Sequence, residues 1–294
     1  MKILLAIDGS PQSSYATQAL AHFGPLDEVT LVHALQLPDF NYPMITPEMR
    51  DQAIQEMENT LRPKGEALLE QIQAKLPQGV GTVTRIHQIG FPAMVILDTA
   101  KSVEPDLIMM GARGLGPIKE LVLGSVSHRV LLHAPCSTLT VKNPLPALQH
   151  ILMPIEGKED AEYLLHALFS LPFVARPRLS VMAIWPQPQL PWPETLSQST
   201  LLEEHALAHA RDTAEEVAQQ AEAKHFSSQA MVGLGDPAFA ILEQAKIIKP
   251  DLIMVGSHGR YGLSRFLLGS VSHSLVHQAT APVLVVRSSG HGET

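Results

Sequence analysis

One stretch of this chain occurs twice, and nothing else in the sequence restricts the fold as much. The first copy runs from Pro105-Asp106-Leu107-Ile108-Met109-Met110-Gly111 to Gly124-Ser125-Val126-Ser127-His128. The second runs from Pro250-Asp251-Leu252-Ile253-Met254-Val255-Gly256 to Gly269-Ser270-Val271-Ser272-His273. The words Pro-Asp-Leu-Ile-Met and Leu-Gly-Ser-Val-Ser-His recur letter for letter at one offset, 145 positions (Pro105 to Pro250). Identical words at a common offset mark an internal duplication. The 294 residues therefore divide into two similar halves, expected as domains over 1–143 and 150–288. Each is of ordinary domain size and long enough to bury its own core. The link between them, about 143–149, is short and holds Pro144 and Pro146, so it keeps the halves close.

Within each copy the glycines keep their places: Gly111, Gly114 and Gly124-Ser125, then Gly256, Gly259 and Gly269-Ser270. The apolar run 107–110 ending in glycine predicts a strand buried on both faces, then a tight turn. Gly124-Ser125 opens an apolar-periodic segment (Val126, Val130, Leu131), which predicts a helix capped by Ser125 or Ser127. A strand, a glycine loop and a helix N-terminus together hold phosphate well. Free N–H groups and the positive helix end face the anion, and glycine lets the backbone approach. The alternative is a plain loop whose glycines only turn the chain. Two copies that keep the glycines while the residues between them diverge favour the phosphate reading.

Taken in order, the first half predicts strands over 2–7, 29–34, 81–89, 107–110 and 137–141. Helices fall between them over 10–23, 47–76 (with Pro63 expected to kink it), 92–101 and from 124. The second half repeats the order, with strands over 150–155, 179–185, 228–233, the repeated apolar run and 283–287. Its helices are expected over 159–171, 195–225, 237–248 and from 269. Alternating helices and continuous apolar strands mean a doubly wound parallel sheet in each half. Ligands of such sheets sit beyond the strand C-termini, where the strand order reverses. Asp8 ends the first strand and Gly111 the fourth. If those strands are neighbours, a carboxylate for a ribose hydroxyl and a loop for phosphate face one crevice. The segments 37–47 and 186–193, with Phe40, Tyr42 and Trp192, leave the same edge and are expected either as lids or as simple core covers.

Charge and composition narrow the partners. A net charge of -8 and a pI near 5.9 argue against nucleic acid or an anionic membrane. The single cysteine, Cys136, forms no intramolecular disulfide and is expected to be buried and inert. The opening Met1-Lys-Ile-Leu-Leu-Ala-Ile-Asp8 is not a signal peptide, and no apolar run reaches membrane length. The expectation is a soluble cytoplasmic protein.

These features resemble the universal stress protein family in its tandem two-domain form. The resemblance rests on Ile7-Asp8-Gly9-Ser10, on Gly90-x-Pro92, and on the Gly-x2-Gly-x9-Gly-Ser loop in both halves, the mark of the family's ATP-binding branch. It implies an α/β fold of the adenine nucleotide alpha hydrolase-like type, with two repeated doubly wound parallel five-stranded sheets in the order 3-2-1-4-5. It also implies that the two domains pair through their last strands within the chain; a homodimer and an unknown protein partner stay open. The implied ligand is ATP, with Mg²⁺ where chemistry occurs. Its contacts would be Asp8, the backbone near Ala34, Gly111, Gly114, Gly124 and Ser125. The matching second-half positions are Glu156, Ile184, Gly256, Gly259, Gly269 and Ser270. Glu156 replaces the family's aspartate and Lys158 replaces Ser10, which puts binding by the second half in question.

Other constellations are weaker. His205 and His209 lie four apart on a predicted helix, a spacing that can hold metal, but no third ligand is in view. His128 and His273 occupy matched positions; reaching a phosphate and packing beside the last strand are both open. Arg113, Lys119, Arg260 and Arg265 can neutralise phosphate, yet exposed loop cations are usually just solvated. Neither Gly-x4-Gly-Lys-Ser/Thr nor Gly-x-Gly-x2-Gly after the first strand is present, which argues against a P-loop NTPase and a dehydrogenase. Glu120 is the one acid in the first loop, so the expected role is non-catalytic sensing or regulation. A slow ATPase or phosphotransferase, and a scaffold that binds no nucleotide, are the alternatives.

Overall fold

The computed structural model describes residues 1–40, 42, 44–114, 123–186, 196–257 and 268–287, and for 196–202 the backbone alone. The first half runs β1 (Lys2–Ala6), α1 (Pro11–Ala19), β2 (Leu26–Leu35), α2 (Pro47–Gln73), β3 (Val80–Ile89), α3 (Pro92–Val103), β4 (Leu107–Gly111), α4 (Ser125–His133) and β5 (Ser137–Val141). The second runs β6 (His150–Ile155), α5 (Lys158–Ser170), β7 (Arg178–Trp185), α6 (Leu196–Ala223), β8 (Ser228–Leu234), α7 (Pro237–Ile248), β9 (Leu252–Gly256), α8 (Ser270–Gln278) and β10 (Val283–Val286).

The strand order is β3-β2-β1-β4-β5-β10-β9-β6-β7-β8. Each half is thus parallel in the order 3-2-1-4-5, as the resemblance implied. The two expected sheets are in fact one, because β5 and β10 pair antiparallel, with Leu139 opposite Leu284. Alternate residues of each strand serve opposite faces. Ile3 and Leu5 enter the core under α1, α2, α5 and α6, while Leu4 and Ala6 enter the core under α3, α4, α7 and α8. The continuous apolar runs noted in the sequence follow from this burial on both faces.

The duplicated Pro-Asp word has a structural use. Asp106 Oδ2 accepts the Lys2 N–H at 2.7 Å, and Asp251 Oδ2 accepts those of Gln149 and His150 at 2.9 and 3.0 Å. In both halves, then, this carboxylate pins the start of strand one to the start of strand four.

The seam between the halves is nearly two-fold. Lys142 and Arg287 occupy matched positions after the last strands. Lys142 Nζ donates to the His277 and Ala279 carbonyls at the end of α8, at 3.0 and 2.7 Å. Arg287 donates to Leu131 O and Leu132 O in α4, at 2.7 and 3.0 Å. Each half therefore places a cation on the negative end of the other's helix. On the opposite face the Phe23 and Phe173 rings pack at 5.6 Å, tilted by 35°, and Gly24 N donates to Pro172 O at 2.7 Å. Among the described residues, no helix is long and apolar enough to cross a membrane.

Candidate functional site: two crevices at the strand ends

In the first half β1 and β4 are neighbours, with Ala6 opposite Met110. Asp8 and Gly111 therefore leave the sheet side by side. The turn after β1 needs Gly9, whose φ of +78° an L side chain rarely adopts. Asp8 Oδ1 accepts the Ser10 N–H at 2.9 Å. Ser10 caps α1 by accepting the Ser13 N–H at 3.2 Å, and its own hydroxyl donates to Arg113 O at 3.3 Å. That last bond ties the two strand ends together.

Gly114 passes directly over the Asp8 carboxylate, so that a Cβ on Gly114 would run into Asp8 Oδ2. Beyond it the loop closes where Gly124 N donates to Ala112 O at 2.8 Å. The cap residue of α4 is Gly124 itself, with no side-chain cap. The expected serine caps are therefore corrected. Ser125 is the first helical residue, and Ser127 Oγ instead donates to Gly111 O at 2.9 Å, fastening the helix to the end of β4. With no side-chain cap, the first-turn amides of α4 lack intrahelical partners. Gly111 is a glycine for packing: a Cβ there would lie 2.7 Å from Gln12 C and 2.8 Å from Ser13 N, on the backbone of α1. Ala34, paired with Gln88, stands half-buried at the C-terminal end of β2 on the other side of β1.

The second crevice has the same frame with different contents. Gly269 N donates to Ser257 O at 2.8 Å and caps α8, and Ser270 is its first residue. Ile184 stands on β7 opposite Gly233. The strand-one turn differs most. Gly157 is extended (φ -176°), and Asp160 reaches back to accept the Glu156 and Gly157 N–H groups, both at 2.7 Å. Burial raises the Asp160 pKa, against the pull of these backbone bonds. Gly256 is a glycine because the Tyr163 hydroxyl occupies the space a side chain would need. Burial, then the charges of Asp160 and Glu156, push the Tyr163 pKa up. Lys158, where the first half has Ser10, pairs with Glu216 of α6 at 2.6 Å. Gly259, Lys119, Glu120, Arg260 and Arg265 lie outside the described residues.

Sequence reasoning missed two groups beside these crevices. Asp160 could have been found from its place three residues into a helix after Gly157, the capping-box spacing. His33 and His87 stack at 5.1 Å beneath α2, where Gly65 makes room for them, and His33 Nδ1 lies 2.8 Å from Ile7 O. Burial lowers the His87 pKa. His128 and His273 meet each other across the seam, their ring centroids 5.5 Å apart. Of the two segments read as lids or covers, the first leaves β2 with Tyr42 and Met44 exposed and Phe40 half-buried. Most of the second, 187–195 including Trp192, lies outside the described residues.

Fold and crevices together define a tandem, doubly wound α/β protein with one strand-end crevice per repeat. The family model for the universal stress protein family matches it twice, over residues 1–142 and 147–287. The chain belongs to the universal stress protein family. A universal stress protein of Mycolicibacterium smegmatis is 26% identical over 302 positions, spanning 97% of this chain and 96% of the relative. Universal stress protein YxiE of Bacillus subtilis is 32% identical over 145 positions, which is 48% of this chain but 98% of the relative. A crystal structure of a universal stress protein from Archaeoglobus fulgidus superposes with a TM-score of 0.65, covering 97% of this chain and 98% of its own, at 18% identity. That last likeness is one of fold.

Proposed function

We propose that the first half binds an adenine nucleotide, ATP, and that binding rather than turnover is its activity. The observation that carries this reading is the convergence of three groups. Gly114 lies bare against the Asp8 carboxylate, and the uncapped first turn of α4 follows at Gly124-Ser125. The α4 amides would hold phosphate, aided by the helix dipole. Asp8 would accept from a ribose hydroxyl, and the β2 backbone near Ala34 would border the base. ATP supplies the matching anion, hydroxyls and planar base. Asp8 is committed to the ribose in this reading, and Glu120 is the one acid in the loop's sequence. Regulation by an occupied or empty crevice is therefore favoured over hydrolysis.

The test is direct. Protein purified without added nucleotide is denatured, and the supernatant is analysed by mass spectrometry. The emptied protein is then titrated with ATP by calorimetry, while phosphate release is followed. The expected result is adenine nucleotide in the supernatant, saturable binding and phosphate release at background. Absence of both co-purified nucleotide and saturable binding would leave the scaffold reading. Release above background that Asp8→Ala removes would establish hydrolysis.

A further inference from the structure

The seam holds a second constellation, built from side chains the nucleotide reading does not use. His128 lies one turn into α4, and His273 lies at the matched position of α8. The antiparallel pairing of β5 with β10 turns these matched positions toward each other. His277 stands four residues beyond His273, hence on the same face of α8. The three rings are mutually close: 5.5 Å between His128 and His273, 5.8 Å between His128 and His277, and 4.3 Å between His273 and His277. One nitrogen from each ring can be chosen so that all three lie within 4.8 Å of one another. The Nε2 of His277 is buried and has no hydrogen-bond partner among the described residues. A buried ring nitrogen without a partner is costly, and ring packing alone does not account for it.

We propose that His128, His273 and His277 form a site for a divalent transition-metal ion of the zinc class, bridging the two halves of the chain. Imidazole nitrogens suit zinc, copper and nickel, and suit magnesium and calcium poorly. Zinc–nitrogen bonds of 2.0–2.1 Å around a tetrahedron set the nitrogens about 3.4 Å apart. The three nitrogens, within 4.8 Å of one another, would have to close by no more than about 1.4 Å, a shift on the scale of side-chain rotation. Three protein ligands leave the fourth position to water, the pattern of an exchangeable site rather than a sealed structural one. The ion would satisfy the orphaned Nε2 of His277 and join α4 to α8. Lys142, bonded to the carbonyl of His277, sets a positive charge nearby and so weakens the affinity.

The test uses the full chain, stripped with a chelator and free of nucleotide. Zn²⁺ is titrated by calorimetry, and Co²⁺ by the visible bands of tetrahedral cobalt. One ion per chain is expected, with a rise in thermal midpoint on Zn²⁺ addition. Loss of an outer-shell partner costs 10–100-fold, so loss of a ligand in His128→Ala or His277→Ala should weaken binding by more than about a hundredfold. His205→Ala with His209→Ala, both exposed on α6, should leave it unchanged. Should an alanine variant fail to fold, H128Q and H277Q carry the same expectation. The proposal is overturned if neither ion binds saturably, if the triple variant H128Q/H273Q/H277Q binds as the parent does, or if the α6 variant loses the ion.

Discussion

The two strand-one turns share a frame and fill it differently. After β1, Asp8 uses one oxygen on the Ser10 N–H and turns the other to the bare backbone of Gly114. After β6, the turn amides of Glu156 and Gly157 are already taken by Asp160, and the Tyr163 hydroxyl fills the gap beside Gly256. On the proposed nucleotide reading, the first turn would offer its carboxylate to a ligand. The other satisfies its own amides with the Asp160 carboxylate. The duplication kept the glycines and the helix starts, which hold the fold in both copies. It let the residues between the strand end and the helix diverge, and on the proposed reading those residues would set what each crevice accepts.

The largest expected effect comes from removing the bare backbone in the first crevice. Gly114→Val puts a branched side chain where the Asp8 carboxylate stands. The carboxylate is the flexible end of its side chain and can swing away, so the fold should survive with its thermal midpoint nearly unchanged. ATP affinity should fall by at least about a hundredfold, because phosphate loop and carboxylate are both displaced, a loss of ~3 kcal/mol. Calorimetry alongside circular dichroism checks both halves of the statement. Undiminished affinity in a folded variant would show that Gly114 does not border the ligand.

Much of this was legible in the sequence, and the illegible parts share a cause. The repeated words marked the duplication, continuous apolar runs marked the strands, and the strand order came from the family resemblance. Local spacing could not tell which glycines face a ligand and which face a helix: Gly111 makes way for α1, Gly256 for Tyr163, and Gly114 for Asp8. Nor could it show that the Asp of the repeated word holds a strand start. The cap of α4 was misread because serine usually caps, whereas here Ser127 is drawn to Gly111 O by the strand beneath it. The meeting of His128 with His273 depends on β5 pairing with β10, a contact between the ends of the two halves. His277 was visible as the i,i+4 neighbour of His273 and gained meaning only through that pairing.

A smaller effect follows from exchanging the turns. Asp8→Ala should weaken ATP binding by about tenfold to a hundredfold, the worth of a hydrogen bond to a charged acceptor, ~1.5–3 kcal/mol. Conversely, E156D/K158S/D160Q rebuilds the first turn in the second half. It frees the amides of the turn, removes a half-buried carboxylate and breaks the Lys158–Glu216 pair. That pair is exposed and so of little consequence for stability. A second ATP site should then appear, or an existing weak one tighten, by about tenfold, with Tyr163 still limiting it. Two equal sites in the parent protein, or no change in the rebuilt one, would mean that these turns do not set the affinity.

The smallest difference between the halves is a thiol. Cys136 stands at the entry to β5, where the second half has Ala281 at the matched position before β10. Its side chain packs against the core under α3 and α4, and burial pushes the thiol up to about 12 from an ordinary 9.0. A raised thiol favours the protonated form in the native state. The stability it contributes is therefore complete below pH 9.0 and is lost as the pH rises through about 12. At pH 8 the thiolate is scarcer by roughly a thousandfold than for a free cysteine. Its greater intrinsic nucleophilicity recovers only part of that. Alkylation by iodoacetamide in the native protein should run at least about tenfold slower than after denaturation. Cys136→Ala, which copies the other half, should shift stability by no more than ~1 kcal/mol, as for a small buried group replaced by a slightly smaller one. Native alkylation as fast as that of the unfolded chain would place this thiol at the surface and make the two strand entries unlike in packing as well as in chemistry.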